Sequence, residues 1–129
     1  MFKSSYNKGF SMTFKNGLTI SVQWGVGNYC ERRSFHHTHI DDMKNIDNWS
    51  PDAEIAIWST VDGKDLVFTL DFGNDSVKGF VSADEVAHWI YITMSAIDLN
   101  HVAHMAREYH GLMPKLEEKY VYPSTYKPE

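Results

Sequence analysis

One stretch of the chain combines side chains that bind anions with side chains that stack on flat ligands. Arg32 and Arg33 each carry a planar guanidinium fork, which suits a phosphate or a carboxylate. Two glycines before them let the backbone approach a ligand closely, but the third glycine of a dinucleotide fingerprint is missing. The alternative is a strand that ends in a bend beside two solvated arginines. The predicted ligand-binding residues are Trp24, Gly25, Gly27, Asn28, Tyr29, Arg32 and Arg33.

A second group of residues offers imidazoles and carboxylates, which are ligands for zinc and other divalent ions. His36, His37 and His39 precede Asp41 and Asp42. In an extended segment His37 and His39 point the same way, so we predict them as candidate metal ligands. The spacing matches no zinc signature, and the alternative is a polar surface loop with solvated histidines.

A third group lies on a predicted helix. His101, His104 and Glu108 are spaced i, i+3 and i+7, so they line one helix face. Two histidines and a carboxylate could hold a metal with an open position, which a metal-dependent hydrolase needs. The segment lacks the i, i+4 histidines and the glutamate of HExxH, and the alternative is the solvated face of an amphipathic helix.

The charge balance disfavours one class of partner. Twelve Lys and Arg face seventeen Asp and Glu, for a formal net charge of −5 at pH 7. Nonspecific nucleic-acid binders are usually basic because they neutralise phosphates, so binding of this kind is disfavoured. Cys30 is the single cysteine, so no disulfide within the chain is expected. With no membrane-length apolar run and no signal-peptide pattern, we expect a soluble cytoplasmic protein.

Alternating apolar residues predict a β-hairpin near the start of the chain. The alternation runs over 10–14 and resumes over 18–24, on either side of Asn16-Gly17. Asn-Gly tolerates the positive φ angles of a type I′ turn, whose twist suits two antiparallel strands.

Three more strands are predicted at 53–60, 65–72 and 77–81. The turns between them are tight, which indicates antiparallel pairing. The segment 25–52 has no period of 2 or 3.6 and is therefore predicted as a loop insertion, with a short helix around 41–46.

The chain after the strands has a helical pattern. Ser82 lies three residues before Glu85, which predicts a capping box. The second half of the pattern runs to Pro114 and either continues the first helix or begins a second one capped by Asn100. The predicted buried stripe of the first half consists of Val86, Ile90, Met94 and Ile97.

Strands first and helices last predict an α+β fold, with an antiparallel sheet of about five strands packed against one or two C-terminal helices. Large apolar side chains fall on both sheet faces, so the second face needs a cover: the second helix, the tail or a partner subunit. The predicted parts of one domain, 1–129, are a sheet at 9–81 with a loop insertion at 25–52, helices at 82–113 and a tail at 114–129.

Three runs of sequence resemble a known family. GFSMTFKNGLTISVQWGVGNYCERR, AEIAIW and DFGNDSVKGFVSADEVAHWI follow one another in this order. This order is similar to that in a family of small proteins of tailed phages, over residues 9–97. The resemblance implies a phage gene product that acts in the bacterial cytoplasm, and it implies no particular activity. It favours the glycine and arginine segment over the histidines, since 34–51 and the chain after 97 lie outside it.

The hypothesis that these patterns favour is a non-catalytic binding module of phage origin, with a role such as counter-defence. It would bind a host protein or a small anionic, nucleotide-like ligand. Uncovered aromatic surface predicts a homo-oligomer, most simply a twofold dimer. The alternatives are a metal-dependent hydrolase and a minor virion or assembly protein. No cofactor is identified; a divalent metal is the one candidate, with His37, His39, His101 and His104 as its predicted ligands.

Overall fold

A seven-stranded antiparallel sheet and two helices make up the described part of the chain, which confirms the α+β fold. The computed structural model describes residues 1–4, 8–25, 29–31, 49–60, 66–73 and 75–120. In chain order the elements are β1 (Phe2–Ser4), β2 (Gly9–Thr13), β3 (Leu18–Gln23), β4 (Asp52–Thr60), β5 (Leu66–Asp71), β6 (Lys78–Ser82), α1 (Ala83–Ser95), α2 (Leu99–His110) and β7 (Lys115–Tyr120). Within these ranges, neither helix is long and apolar enough to cross a membrane.

The nine-residue strand β4 organises the sheet. The strand order is β1-β2-β3-β4-β5-β7, and β6 pairs with β4 outside this path. β3 lies along one side of β4, whereas the other side is shared: β6 pairs with its first residues and β5 with its last. This sharing brings the beginning of β4 next to the residues that lead into α1.

The sheet has two strands more than the sequence predicts. β1 pairs with β2, and β7 pairs with β5 along six residues in the region predicted as a tail. The sequence of β7 is KLEEKY, which has no apolar alternation. Its apolar residue Leu116 pairs with Leu70, and charged residues otherwise suit a strand at the sheet edge. Residues 26–28 and 32–48 of the loop insertion predicted at 25–52, including the short helix predicted around 41–46, lie outside the described residues.

One face of the sheet forms the core. Ile20 pairs with Ile57 across β3 and β4, and both side chains are fully buried. α1 packs on β3, β4 and β6, while α2 packs on α1, β5 and β7. Both helices therefore share the face that carries Ile57, and α2 is not the cover that the opposite face was expected to need. On that opposite face, Thr13 and Thr19 join their hydroxyls at 2.9 Å.

The buried stripe of α1 differs from the predicted one. Val86 is buried, but Met94 is 51% exposed and Ile97, beyond the end of the helix, is 80% exposed. Apolar residues occur nearly all around α1, so their spacing leaves the core face ambiguous. The structure also buries Thr93, whose hydroxyl donates to the Trp89 carbonyl at 2.7 Å. The buried residues of α1 and its C-cap are Val86, Trp89, Ile92, Thr93 and Ala96.

The two helix starts show one correct and one wrong prediction. Ser82 is the N-cap of α1, and its Oγ accepts from the backbone N–H of Glu85. The N-cap of α2 is Asp98 rather than Asn100, and its Oδ1 accepts from the backbone N–H of His101 at 2.8 Å. Asp and Asn cap helices about equally well, so the sequence alone did not separate these two positions.

The turn of the predicted hairpin has three residues rather than two. Phe14 donates to the Leu18 carbonyl and accepts from the N–H of Gly17. Gly17 has φ +84°, while the non-glycine residues of this turn have negative φ. A type I′ turn would need positive φ at both central residues, so the turn is instead a type I turn followed by a left-handed glycine.

The side chain of Asn16 leaves the hairpin and caps the end of α1. Its Nδ2 donates to the carbonyls of Thr93 and Ala96, each at 2.8 Å, and its Oδ1 accepts from the N–H of Leu18. The last turn of α1 contains no basic residue, so this amide satisfies carbonyls that lack partners within the helix.

We expect Asn16→Ala to lower the free energy of unfolding by about 1–3 kcal/mol, because it leaves half-buried carbonyls unpaired. Asn16→Asp is the matched control, since it keeps the acceptor and places a negative charge at the negative end of the helix. It should destabilise the protein more than Asn16→Ala in urea unfolding. Equal stability of Asn16→Asp and the wild type would contradict this role.

Candidate binding surface

A β-bulge lies where β6 pairs with the beginning of β4. Gly79 and Phe80 of β6 both lie opposite the single residue Glu54 of β4. A bulge of this kind bends its strand and turns a side chain away from the regular pleat. Here it turns the backbone N–H of Phe80 out of the β4 ladder.

Phe80 is strained and exposed. Its φ is +56°, and it is the single described residue other than glycine with positive φ. A bulky side chain in this region of backbone conformation costs on the order of 1–3 kcal/mol. The ring gains little burial in return, since 57% of the residue is exposed.

Tyr29 lies beside Phe80 and is fixed by backbone contacts. Its carbonyl accepts from the N–H of Phe80 at 2.9 Å, and its N–H donates to Oε2 of Glu54 at 2.7 Å. A Cβ on Gly79 would lie 2.5 Å from the Cβ of Tyr29, so a glycine is required beneath it. Tyr29 is 40% exposed. We call these two neighbouring aromatic residues the Tyr29–Phe80 surface.

The backbone on either side of Tyr29 donates hydrogen bonds to a thiol and to a second carboxylate. Gly25, at φ +89°, donates its N–H to Sγ of the buried Cys30 at 3.2 Å. The N–H of Glu31 donates to Oδ1 of Asp52 at 2.6 Å. The two acidic residues of β4 therefore act as acceptors for the backbone of the segment.

An apolar groove opens beside this segment, between the first turn of α1, the beginning of β2 and the end of β3. Its volume is about 200 Å³. An apolar cavity of about 150 Å³ holds a benzene ring, so the groove has room for one aromatic or aliphatic side chain. Drug-sized ligands need about 300–1,000 Å³, which is more than it offers. Its lining residues are Phe10, Val22, Trp24, Ser50, Pro51, Asp52, Ala53, Val81, Ala83 and Val86.

The structure places part of the predicted ligand site together. Trp24 lines the groove, the N–H of Gly25 donates to Sγ of Cys30, and Tyr29 lies partly exposed beside Phe80. The remaining predicted ligand-binding residues lie outside the described residues, so binding of an anion stays a prediction. They are Gly27, Asn28, Arg32 and Arg33.

The predicted metal ligands are not assembled within the described ranges. Nδ1 of His101 accepts from the backbone N–H of Ile97 at 3.0 Å, and His104 is exposed. No three His, Cys, Asp or Glu residues of these ranges gather around a point that could hold a metal. His37 and His39 lie outside the described residues. A metal site, and with it the hydrolase, stays a prediction that needs ligands from elsewhere in the chain.

Sequence reasoning missed Phe80 and Asp52. Nothing in the alternation of β6 signals a bulge except Gly79, and the need for a glycine there arises from Tyr29, fifty residues earlier.

Comparisons of the chain with family models, curated proteins and solved structures found no match.

Proposed function

We propose that this protein is a non-catalytic binding module that holds a partner protein at the Tyr29–Phe80 surface. The observation that carries the proposal is Phe80, a bulky residue held at φ +56° with 57% of its surface exposed. Strain of this kind at an exposed position points to function, because the fold itself gains little from the ring. Exposed aromatic rings on a rigid backbone are typical anchors of protein interfaces.

The groove supports a protein as the partner rather than a free small ligand. At about 200 Å³ it accepts one apolar side chain of a partner, and its residue Asp52 accepts from the N–H of Glu31, two residues after Tyr29. Its lining is mostly apolar, and its charged residue Asp52 is acidic. A nucleotide-sized anion would have to depend on residues outside this groove.

The resemblance to tailed-phage proteins makes a bacterial host protein the partner that we expect. The test is affinity capture from a bacterial lysate with the wild-type protein, Phe80→Gly and the control Phe2→Gly. Phe2 is also exposed but lies on β1, at the edge strand. Glycine adopts positive φ without strain, so Phe80→Gly should fold with a stability within about 1 kcal/mol of the wild type.

We expect the wild type and Phe2→Gly to retain the same protein and Phe80→Gly to lose it. With the retained protein purified, Phe80→Gly should weaken the Kd by about 30-fold or more, as for an interface hot spot. Retention that is equal in all three variants, or no retained protein at all, would count against the proposal. Native mass spectrometry of the purified protein separates two other outcomes: a twofold dimer, or a small anionic ligand in place of a protein.

A further inference from the structure

Two histidines that belong to none of the candidate metal-binding groups meet where α1 packs against α2. Nδ1 of His88 lies 3.0 Å from Nε2 of His110, and the two residues are 22 positions apart in the chain. Both residues are half-buried. The distance is that of a hydrogen bond, in which one imidazole donates and the other accepts. An acceptor nitrogen must carry no proton, so this bond cannot exist when both rings are charged.

The surroundings of the pair are aromatic. The ring of His110 stacks on the fully buried Trp89, with centroids 4.5 Å apart and planes 10° apart. Two tyrosines flank His88. The ring of Tyr91 is stacked on it with centroids 6.5 Å apart, and the ring of Tyr109 meets it edge-on with centroids 5.4 Å apart. These three rings remove part of the water that would solvate a positive charge on the pair, which disfavours its protonation.

The end of α2 fixes the position of His110. Gly111 adopts φ +64° and donates its N–H to the Arg107 carbonyl, while Leu112 donates to the Ala106 carbonyl. This glycine-terminated cap holds His110 as the last residue of the helix. The pair therefore joins the end of α2 to the middle of α1.

We propose that the His88–His110 pair is a proton-operated latch between the two helices, closed when the pair holds at most one positive charge and released by acidification. When both rings are protonated, the hydrogen bond is lost and two like charges face each other at contact distance. Since α2 covers β5 and β7, release of the latch loosens that side of the core.

The charged groups around the pair favour release in acid. The pKa of His110 lies below its ordinary value of 6.5. Burial is the main cause, and the positive charges of His88 and of Lys78 on β6 act in the same direction. Glu85 on α1 acts in the opposite direction, as does the C-terminal end of α2. Because the folded pKa is the lower one, the stability from the latch is complete above about pH 6.5 and is lost as the pH falls through the folded pKa.

The test is urea unfolding of the wild type, His110→Gln and the control His104→Gln across about pH 8 to pH 5. His104 lies exposed on the same helix, so its variant loses a histidine without touching the latch. We expect the wild type and His104→Gln to lose stability together below about pH 6.5, by up to about tenfold in the unfolding equilibrium per pH unit. His110→Gln should show a flatter profile. Parallel profiles of all three would overturn the latch.

Imidazole NMR of the wild type gives a second readout that does not depend on the folding of any variant. We expect His110 to titrate below pH 6.5. Over the same pH range, hydrogen exchange in α2, corrected for intrinsic rates, should rise relative to that in β3 and β4. In His88→Gln, the titration of His110 should move to higher pH because one positive charge is gone. An unshifted His110 in the wild type, or exchange in α2 that does not change with its titration, would overturn the proposal.

Discussion

Trp89→Ala should remove about 3–5 kcal/mol of stability, the largest loss that we expect from a single substitution in this protein. Trp89 is fully buried. Its ring meets that of Phe72 edge-on, with centroids 5.7 Å apart, and stacks on that of His110, with centroids 4.5 Å apart. Alanine would leave a cavity between α1, the end of β5 and the end of α2. A domain of this kind has about 5–15 kcal/mol in total, so the variant should lose a substantial part of its stability.

Trp89→Phe is the matched control for this substitution. Among the described residues, no group accepts a hydrogen bond from the buried Nε1 of Trp89. Phenylalanine keeps a ring against Phe72 and His110 and removes that unpaired donor, so it should lose far less stability than alanine. Both variants are measured by urea unfolding followed by circular dichroism. A loss in Trp89→Phe as large as that in Trp89→Ala would show that the contacts of the ring are not the source of the stability.

Gly79→Ala should lower stability by about 1–3 kcal/mol and should also weaken binding of the proposed partner. The new Cβ would lie 2.5 Å from the Cβ of Tyr29 and 3.1 Å from its carbonyl oxygen, so the segment must move. That movement strains the hydrogen bonds of Tyr29 to Phe80 and Glu54, which position the Tyr29–Phe80 surface.

A double variant makes this prediction specific. Tyr29→Gly with Gly79→Ala moves the Cβ from one side of the contact to the other, so the clash is relieved. In a double-mutant cycle of urea unfolding, the two substitutions should therefore couple favourably, by about 1 kcal/mol or more. Additive losses would show that the contact with the Cβ of Tyr29 is not what requires a glycine at residue 79.

Part of the candidate surface was predictable from the sequence. Trp24, Gly25 and Tyr29 stood out because glycines and aromatic residues follow a strand, and the structure places them at the groove and beside Phe80. Phe80 itself was not predictable, because a positive φ at a phenylalanine depends on a bulge that forms only when β6 pairs with β4.

The sequence by itself determined the elements whose signals are local. Alternation of apolar residues predicted the strands β2 to β6, and a serine three residues before a glutamate predicted the start of α1. These signals work because strand pleating and helix capping involve residues within a few positions of each other.

Only the tertiary structure decided the features that join distant segments. β7 is a strand because the ladder of β5 offers it hydrogen bonds, although its own sequence is polar. Asn16 serves the end of α1 rather than a type I′ turn, since the unpaired carbonyls of that helix lie beside it. His88 and His110 become a pair through the packing of α1 on α2. In each case the stabilising contact is between residues far apart in sequence, and no periodicity in either segment encodes it.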